Sequence, residues 1–298
     1  MKKQVRLVLS AVLALSLVGA FAMFGCSSNN TTTEKKDDAA KTEQAEPVEL
    51  QVFAANSLSK AMEDIQKAYI EDGHDNVTFK DTQYKSSGEL NEMLGAGSYA
   101  DLLISASEGS MDTAVSKGYV DGSTRVDMFK NDLVMVSKEG ADIKDVTLDD
   151  IAAGKYTLAV GDENVPAGNY ACQSLTTVGS YIEPDGATGA DATGKGGEFS
   201  ATLQPKVTLG GKVGDVCKYA ESGEVDIAMV YTSDVYRMGG VAICSVVPND
   251  THKAITYPGA VCTDSKSAET AQAFLEWCMT DEDANQIWEK WGFELAQN

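Results

Sequence analysis

Residues 158–171 read LAVGDENVPAGNYA. The apolar run at 157–160 is a short buried-strand signal, and a helix signal follows over 167–177. Pro166 falls at the first helical position, where a missing N–H is no loss, so Ala167 and Gly168 present their N–H groups with little bulk in front. Strand, tight turn and helix in that order make one βα unit. Working outward, the same grammar recurs at 49–54 then 57–71, 77–84 then 88–94, 101–105 then 110–117, and 225–230 then 232–237. In the first of these, Leu58, Met62, Ile65 and Tyr69 share one helical face. Repeated βα units with short turns predict an α/β protein with mostly parallel sheets covered by helices on both faces. The stretch from residue 48 to residue 298 is long enough for two lobes of ordinary domain size.

Four of the strand-to-helix turns offer unpaired donors at a helix start. Asn56-Ser57 opens the first helix, and Asn56 either adds a donor or caps. Ser86-Ser87-Gly88-Glu89 contains a capping box with Ser86 as the cap, which leaves the Ser87 hydroxyl free. Val165-Pro166-Ala167-Gly168 is the third, and Lys212-Val213-Gly214-Asp215 the fourth, with the Val213 N–H at the helix edge. A single serine cap usually does nothing but cap. Together, however, helix starts gather at the carboxyl ends of the strands, where ligands of α/β sheets bind, and their partial positive charge suits an anion.

The ends and the composition set further bounds. Lys2, Lys3 and Arg6 followed by an apolar run over 7–23 read as a secretory signal, and Gly25-Cys26 reads as a lipidation site with Cys26 as the first mature residue. The alternatives are cleavage near Ala20-Phe21-Ala22 or an uncleaved anchor. Residues 27–47, SSNNTTTEKKDDAAKTEQAEP, lack large apolar side chains and read as a disordered tether with a reach of roughly 25 Å. The whole chain carries 45 acidic against 24 basic residues, a net charge of −21, which argues against nucleic-acid binding. Apart from Cys26, the cysteines are Cys172, Cys217, Cys244, Cys262 and Cys278; no pair has CxxC spacing, and export leaves both disulfides and buried thiols open.

Several segments take plain readings. Lys60, Lys85 and Lys212 are solvated side chains, the glycine-rich 185–198 segment is a mobile surface loop, and Trp277, Trp288 and Trp291 pack in the core or between lobes. An enzyme has little to work with. His74 and His252 lack a nucleophile or metal-ligand partner nearby in sequence, and no GxSxG, HExxH or phosphate-loop signature occurs.

FAANSLSKAMEDIQKAY (53–69), YKSSGEL (84–90), ADLLISAS (100–107), LAVGDENVPAGNYA and MVYTSD (229–234), continued by HKAITYP (252–258) and WEKWGFE (288–294), resemble the successive motifs of the molybdate-binding proteins of ABC-type importers. That resemblance implies a two-lobed periplasmic-binding-protein fold, type II-like, with the ligand cleft between lobes. Lobe I would comprise 48–131 and 249–298, lobe II 132–248, with connections near Asn131-Asp132 and Pro248-Asn249. It further implies oxyanion ligands at Ser57 and Ser87 by hydroxyl and N–H, at the N–H groups of Ala167 and Val213, and at the Tyr231 hydroxyl. The chain departs from the family pattern at Asn56 and in a longer segment over 181–211.

All these donors are neutral. Molybdate is fully deprotonated at neutral pH and suits a pocket without a carboxylate, whereas the proton of hydrogenphosphate would lack an acceptor, at about 1–3 kcal/mol. Sulfate must be excluded by size, and tungstate should bind. The resemblance thus leads to an exported, lipid-anchored monomer that needs no cofactor or bare metal cation, binds molybdate as oxyanion and serves a membrane permease. A receptor for another tetrahedral oxyanion, sulfate or tungstate alone, is the alternative.

Overall fold

The structure, a computed structural model, describes residues 46–296. The expected leader, the lipidation of Cys26 and all but the last two residues of the tether fall outside the described residues.

Two sheets carry the fold. The first runs β15 (Glu294–Leu295), β6 (Val126–Lys130), β14 (Thr256–Val261), β5 (Leu102–Ile104), β2 (Val52–Ala55), β4 (Gln83–Lys85). The second runs β11 (Val207–Gly210), β8 (Leu158–Gly161), β12 (Ile227–Tyr231), β7 (Leu133–Lys138), β13 (Val241–Val246). Two ribbons flank them, β1 (Val48–Leu50) with β3 (Val77–Phe79) and β9 (Tyr181–Ile182) with β10 (Glu198–Phe199). Strands β2, β8 and β12 are buried from end to end, which is why they read as continuous apolar runs rather than alternating ones.

Parallel pairing is narrower than the repeated βα grammar predicts. It holds for β4–β2–β5 and for β11–β8–β12, the strands that feed helices. β14 lies antiparallel to β5 and β6, and β7 lies antiparallel to β12 and β13. The reason is where the chain changes sheet. Only Asn131 and Asp132 separate β6 in the first sheet from β7 in the second, so no helix intervenes to set a parallel crossover. The return passes through 247–255, between β13 and β14.

The helices are α1 (Ser59–Glu71), α2 (Ser87–Gly95), α3 (Glu108–Ser116), α4 (Leu148–Ala152), α5 (Pro166–Thr176), α6 (Val213–Ser222), α7 (Thr232–Met238), α8 (Ala268–Thr280) and α9 (Glu282–Lys290). α1 buries Ala61, Met62, Ile65 and Tyr69, while Leu58 is buried in the 3₁₀ turn Asn56–Leu58 just before it. The tryptophans belong to the first lobe. Trp288 is fully buried against Phe129, with ring centroids 4.2 Å apart, and Trp277 and Trp291 donate their indole N–H groups to Asp72 and Asp64 at 2.8 and 3.0 Å. His74 stacks on Tyr69 at 3.9 Å.

All five described cysteines are free and buried. Burial pushes the thiols of Cys172, Cys217 and Cys262 up to about 12, so they pack as small neutral hydrophobes. The 185–198 segment is not the loose loop its composition predicts. Glu183, itself 3% exposed, accepts hydrogen bonds from the N–H of Thr193 at 2.5 Å and of Gly194 at 3.0 Å, and from the Thr193 hydroxyl. A buried carboxylate needs such donors, and composition carries no sign of this one.

Candidate functional site

Ser57, Ser87, Ala167, Val213 and Tyr231 come together around one small, tight cavity. Ala55, Asn56, Lys85, Ser86, Ala106, Val165 and Pro166 complete the wall. None of the five is more than 4% exposed. Ser57 follows β2 and Ser87 opens α2, in the first lobe; Ala167 and Val213 lie at the starts of α5 and α6, and Tyr231 ends β12, in the second.

The local sequence leaves amides unspent at each helix start. Ser86 caps α2 by accepting the Glu89 N–H at 3.2 Å, which keeps the Ser87 hydroxyl out of capping. α5 and α6 begin at Val165 and Lys212, which make no side-chain cap. Among the described residues, no acceptor takes the N–H of Ser57, Ser87, Ala167 or Val213. Four such donors, three of them at the positive ends of helices, form an electropositive lining built from dipoles.

The hydroxyls supplement them. The Ser87 oxygen accepts the Ala106 N–H at 3.0 Å, so its own proton is free. Ser57 Oγ lies 2.9 Å from the Tyr257 hydroxyl, and the Tyr231 hydroxyl lies 3.5 Å from the Ala106 carbonyl, too long to hold it firmly. Burial pushes the phenols of Tyr231 and Tyr257 well above their usual range, so both keep their protons.

Full charges are held away or neutralised. Lys85 lines the cavity but pairs with Glu89 at 2.9 Å. Lys60 pairs with Glu63 at 2.9 Å, and Lys212 is half-buried and does not line the cavity. The sequence reading passed over a buried pair behind the wall: Arg237 donates to Asp234 at 2.5 Å, and the other Asp234 oxygen accepts the Tyr231 N–H at 3.1 Å, fixing that tyrosine at the start of α7. Burial pushes the Asp234 carboxyl up, against the pull of the Arg237 guanidinium. Its only sequence signal is the i, i+3 spacing of Asp234 and Arg237 on α7.

Two contacts bridge the lobes beside the cavity. The Gly88 N–H, second in α2, donates to the Asn164 carbonyl at 3.2 Å, and the Gly214 N–H, second in α6, donates to Asn56 Oδ1 at 3.2 Å. Asn56 therefore caps a helix of the opposite lobe, a role that spacing along the chain cannot reveal.

A larger, open hollow of about 770 Å³ lies between α3 and α8, lined by Val115, Val120 and Ala273 with Glu269 and Glu276. Its polar lining includes Ser123, Thr124, Thr263 and Gln272, with the carboxylates of Asp121, Glu269 and Glu276. No group of three or more His, Cys, Asp or Glu side chains suited to a metal ion occurs among the described residues.

Residues 50–294 match the family model of bacterial extracellular solute-binding proteins. The chain belongs to that family. This solute-binding protein is 33% identical over 260 residues to the molybdate-binding protein ModA of Escherichia coli (strain K12), covering 84% of this chain and 91% of that one. It is 30% identical over 293 residues to the ABC transporter substrate-binding lipoprotein YvgL of Bacillus subtilis (strain 168), covering 98% and 99%. Among solved structures it is similar to the substrate-binding domain of a molybdenum ABC transporter from Clostridium difficile, with a TM-score of 0.61 and 28% identity over 84% of this chain and 100% of that one. The two-lobed α/β architecture of the solute-binding protein is thus that of periplasmic binding proteins.

Proposed function

We propose that this protein captures molybdate outside the cytoplasm and presents it to the permease of an ABC importer, with tungstate as a second ligand. The observation that carries the reading is the donor set: four uncommitted amides and three neutral hydroxyls, from both lobes, on one cavity without an unpaired charged side chain. An unprotonated tetrahedral dianion matches it. Hydrogenphosphate brings a proton with no acceptor to take it. Sulfate has shorter bonds and would leave donors out of reach. The family and the names of the relatives support the same reading.

The roles follow by group. Ser57 and Ser87 donate by hydroxyl and N–H, Ala167 and Val213 by N–H, and Tyr231 by its phenol. Lipidation of Cys26 would hold this monomer at the outer face of the membrane, within reach of a permease. The net charge of −21 repels a dianion at long range, but salt screens most of that beyond roughly 8 Å, and oriented dipoles act at contact. The test is thermal unfolding in the presence of four oxyanions. Molybdate and tungstate at a hundred times their dissociation constants should each stabilise by about 2.7 kcal/mol, and sulfate and phosphate at the same concentrations should leave the midpoint in place. Stabilisation by sulfate alone would assign the protein to a different oxyanion.

A further inference from the structure

A hydroxyl can accept as well as donate, so a pocket containing serines refuses a protonated anion only if something dictates where their protons point. The structure contains such a device behind Ser57. Asn131 Oδ1 accepts the N–H of Asp132 at 3.0 Å, which sets the orientation of its carboxamide, because the reverse orientation would set two donors against each other. Asn131 Nδ2 then donates to Ser233 Oγ at 2.8 Å and faces the Tyr257 hydroxyl at 3.4 Å. An amide nitrogen has only protons to give, so the Tyr257 oxygen accepts. Tyr257 is fully buried, and the one other hydrogen-bonding group at its hydroxyl among the described residues is Ser57 Oγ, 2.9 Å away. If Ser57 donated to Tyr257, the phenolic proton would be buried without an acceptor. The phenol therefore donates to Ser57, and the Ser57 proton turns to the cavity.

We infer that Asn131 and Tyr257 are specificity-determining positioning residues: the relay Asn131 to Tyr257 to Ser57 makes the Ser57 hydroxyl an obligate donor, and so sets the site against tetrahedral anions that carry a proton. Ala106 does the same for Ser87 through a backbone N–H, which no side-chain substitution removes. The relay begins at Asn131, in the two-residue passage between the sheets, and reaches the cavity through β14, so it links the crossing point to the chemistry of the pocket. The inference rests on the oxyanion reading proposed above.

The test compares molybdate with arsenate at pH 8, where arsenate is also a dianion and close in size but carries one proton. Tyr257→Phe removes the phenol without supplying an acceptor behind Ser57, so the Ser57 proton still turns to the cavity. Asn131→Asp keeps the acceptor for the Asp132 N–H but replaces the donor to Tyr257 with an acceptor, which reverses the relay. Its added charge acts on both dianions, so the affinity ratio cancels it. In Asn131→Asp, the preference for molybdate over arsenate should fall by about tenfold or more, and in Tyr257→Phe it should stay within twofold of wild type. Adding Tyr257→Phe to Asn131→Asp should abolish the gain in arsenate binding, because the reversal reaches Ser57 only through the phenol. A ratio within twofold of wild type in folded Asn131→Asp overturns the relay, even if both affinities drop, since a purely structural role would weaken both ligands alike. If the wild-type protein binds molybdate and the ratio does not move, the relay alone fails; if it binds neither molybdate nor tungstate, the oxyanion reading fails and takes the relay with it.

Discussion

His252 shows how much a single side chain's meaning depends on what surrounds it. In the sequence it is one of two histidines in polar turns, without a partner for catalysis or metal binding. In the fold it is 3% exposed beside the return passage between sheets, its Nδ1 bonded to the Lys253 carbonyl at 2.7 Å and its ring edge-on to Tyr170. Burial holds its pKa below the usual 6.5. The unfolded chain therefore takes up the proton first as pH falls, so the stability that His252 contributes is complete above about pH 6.5 and is lost below it, down to the folded value. Urea unfolding at pH 7.5 and pH 5.5 should show wild type losing stability at the lower pH, and His252→Gln losing less. An equal loss in both would place the titrating group elsewhere. At this scale, the helix starts were legible because turn chemistry is local, and the five positions that the family resemblance implied, Ser57, Ser87, Ala167, Val213 and Tyr231, line one cavity. Asp234, Arg237, Asn131 and Tyr257 were not legible, because each acts through a contact that only folding creates.

At the scale of elements, the βα units were readable from apolar runs and turn residues, and the antiparallel strands were not. β7, β13 and β14 sit where the chain changes sheet, and nothing in a strand's own composition states its direction. The helix starts carry a second lesson. In α2 and α6, the first N–H faces the cavity while the second, at Gly88 or Gly214, is taken by an oxygen of the other lobe. Close approach requires glycine at Gly88, where a Cβ would stand 2.9 Å from both the Cβ and the carbonyl oxygen of Asn164, whereas one on Gly214 would meet only side-chain ends, Asn56 Oδ1 at 2.7 Å first. Gly88→Ala should force the lobes apart at the cleft. With overpacking at about 1–3 kcal/mol, molybdate affinity should drop roughly fivefold to a hundredfold, mostly through faster release, although no ligand contact is removed. Stopped-flow release rates would check this, and an unchanged rate would mean that these bridges do not hold the cleft.

For the whole molecule, two passages between the sheets, at Asn131-Asp132 and at 247–255, join the lobes while the site draws donors from both. A ligand that contacts both lobes favours the closed arrangement by its differential affinity for that state. Small-angle scattering should show a smaller radius of gyration with molybdate than without it, and no change with phosphate. An unchanged radius with saturating molybdate would remove closure as the loading signal.

Sequence by itself determined the class of the fold, the positions of the helix starts and the neutral character of the donors, because strand periodicity, caps and prolines act over a few residues. Tertiary structure alone decided which amides stay unspent, which hydroxyl protons face the cavity and which oxygens cap across the cleft. Those are matters of distance between residues up to 200 positions apart, as Ser57 and Tyr257 are, and a hydrogen bond is decided within a few tenths of an ångström.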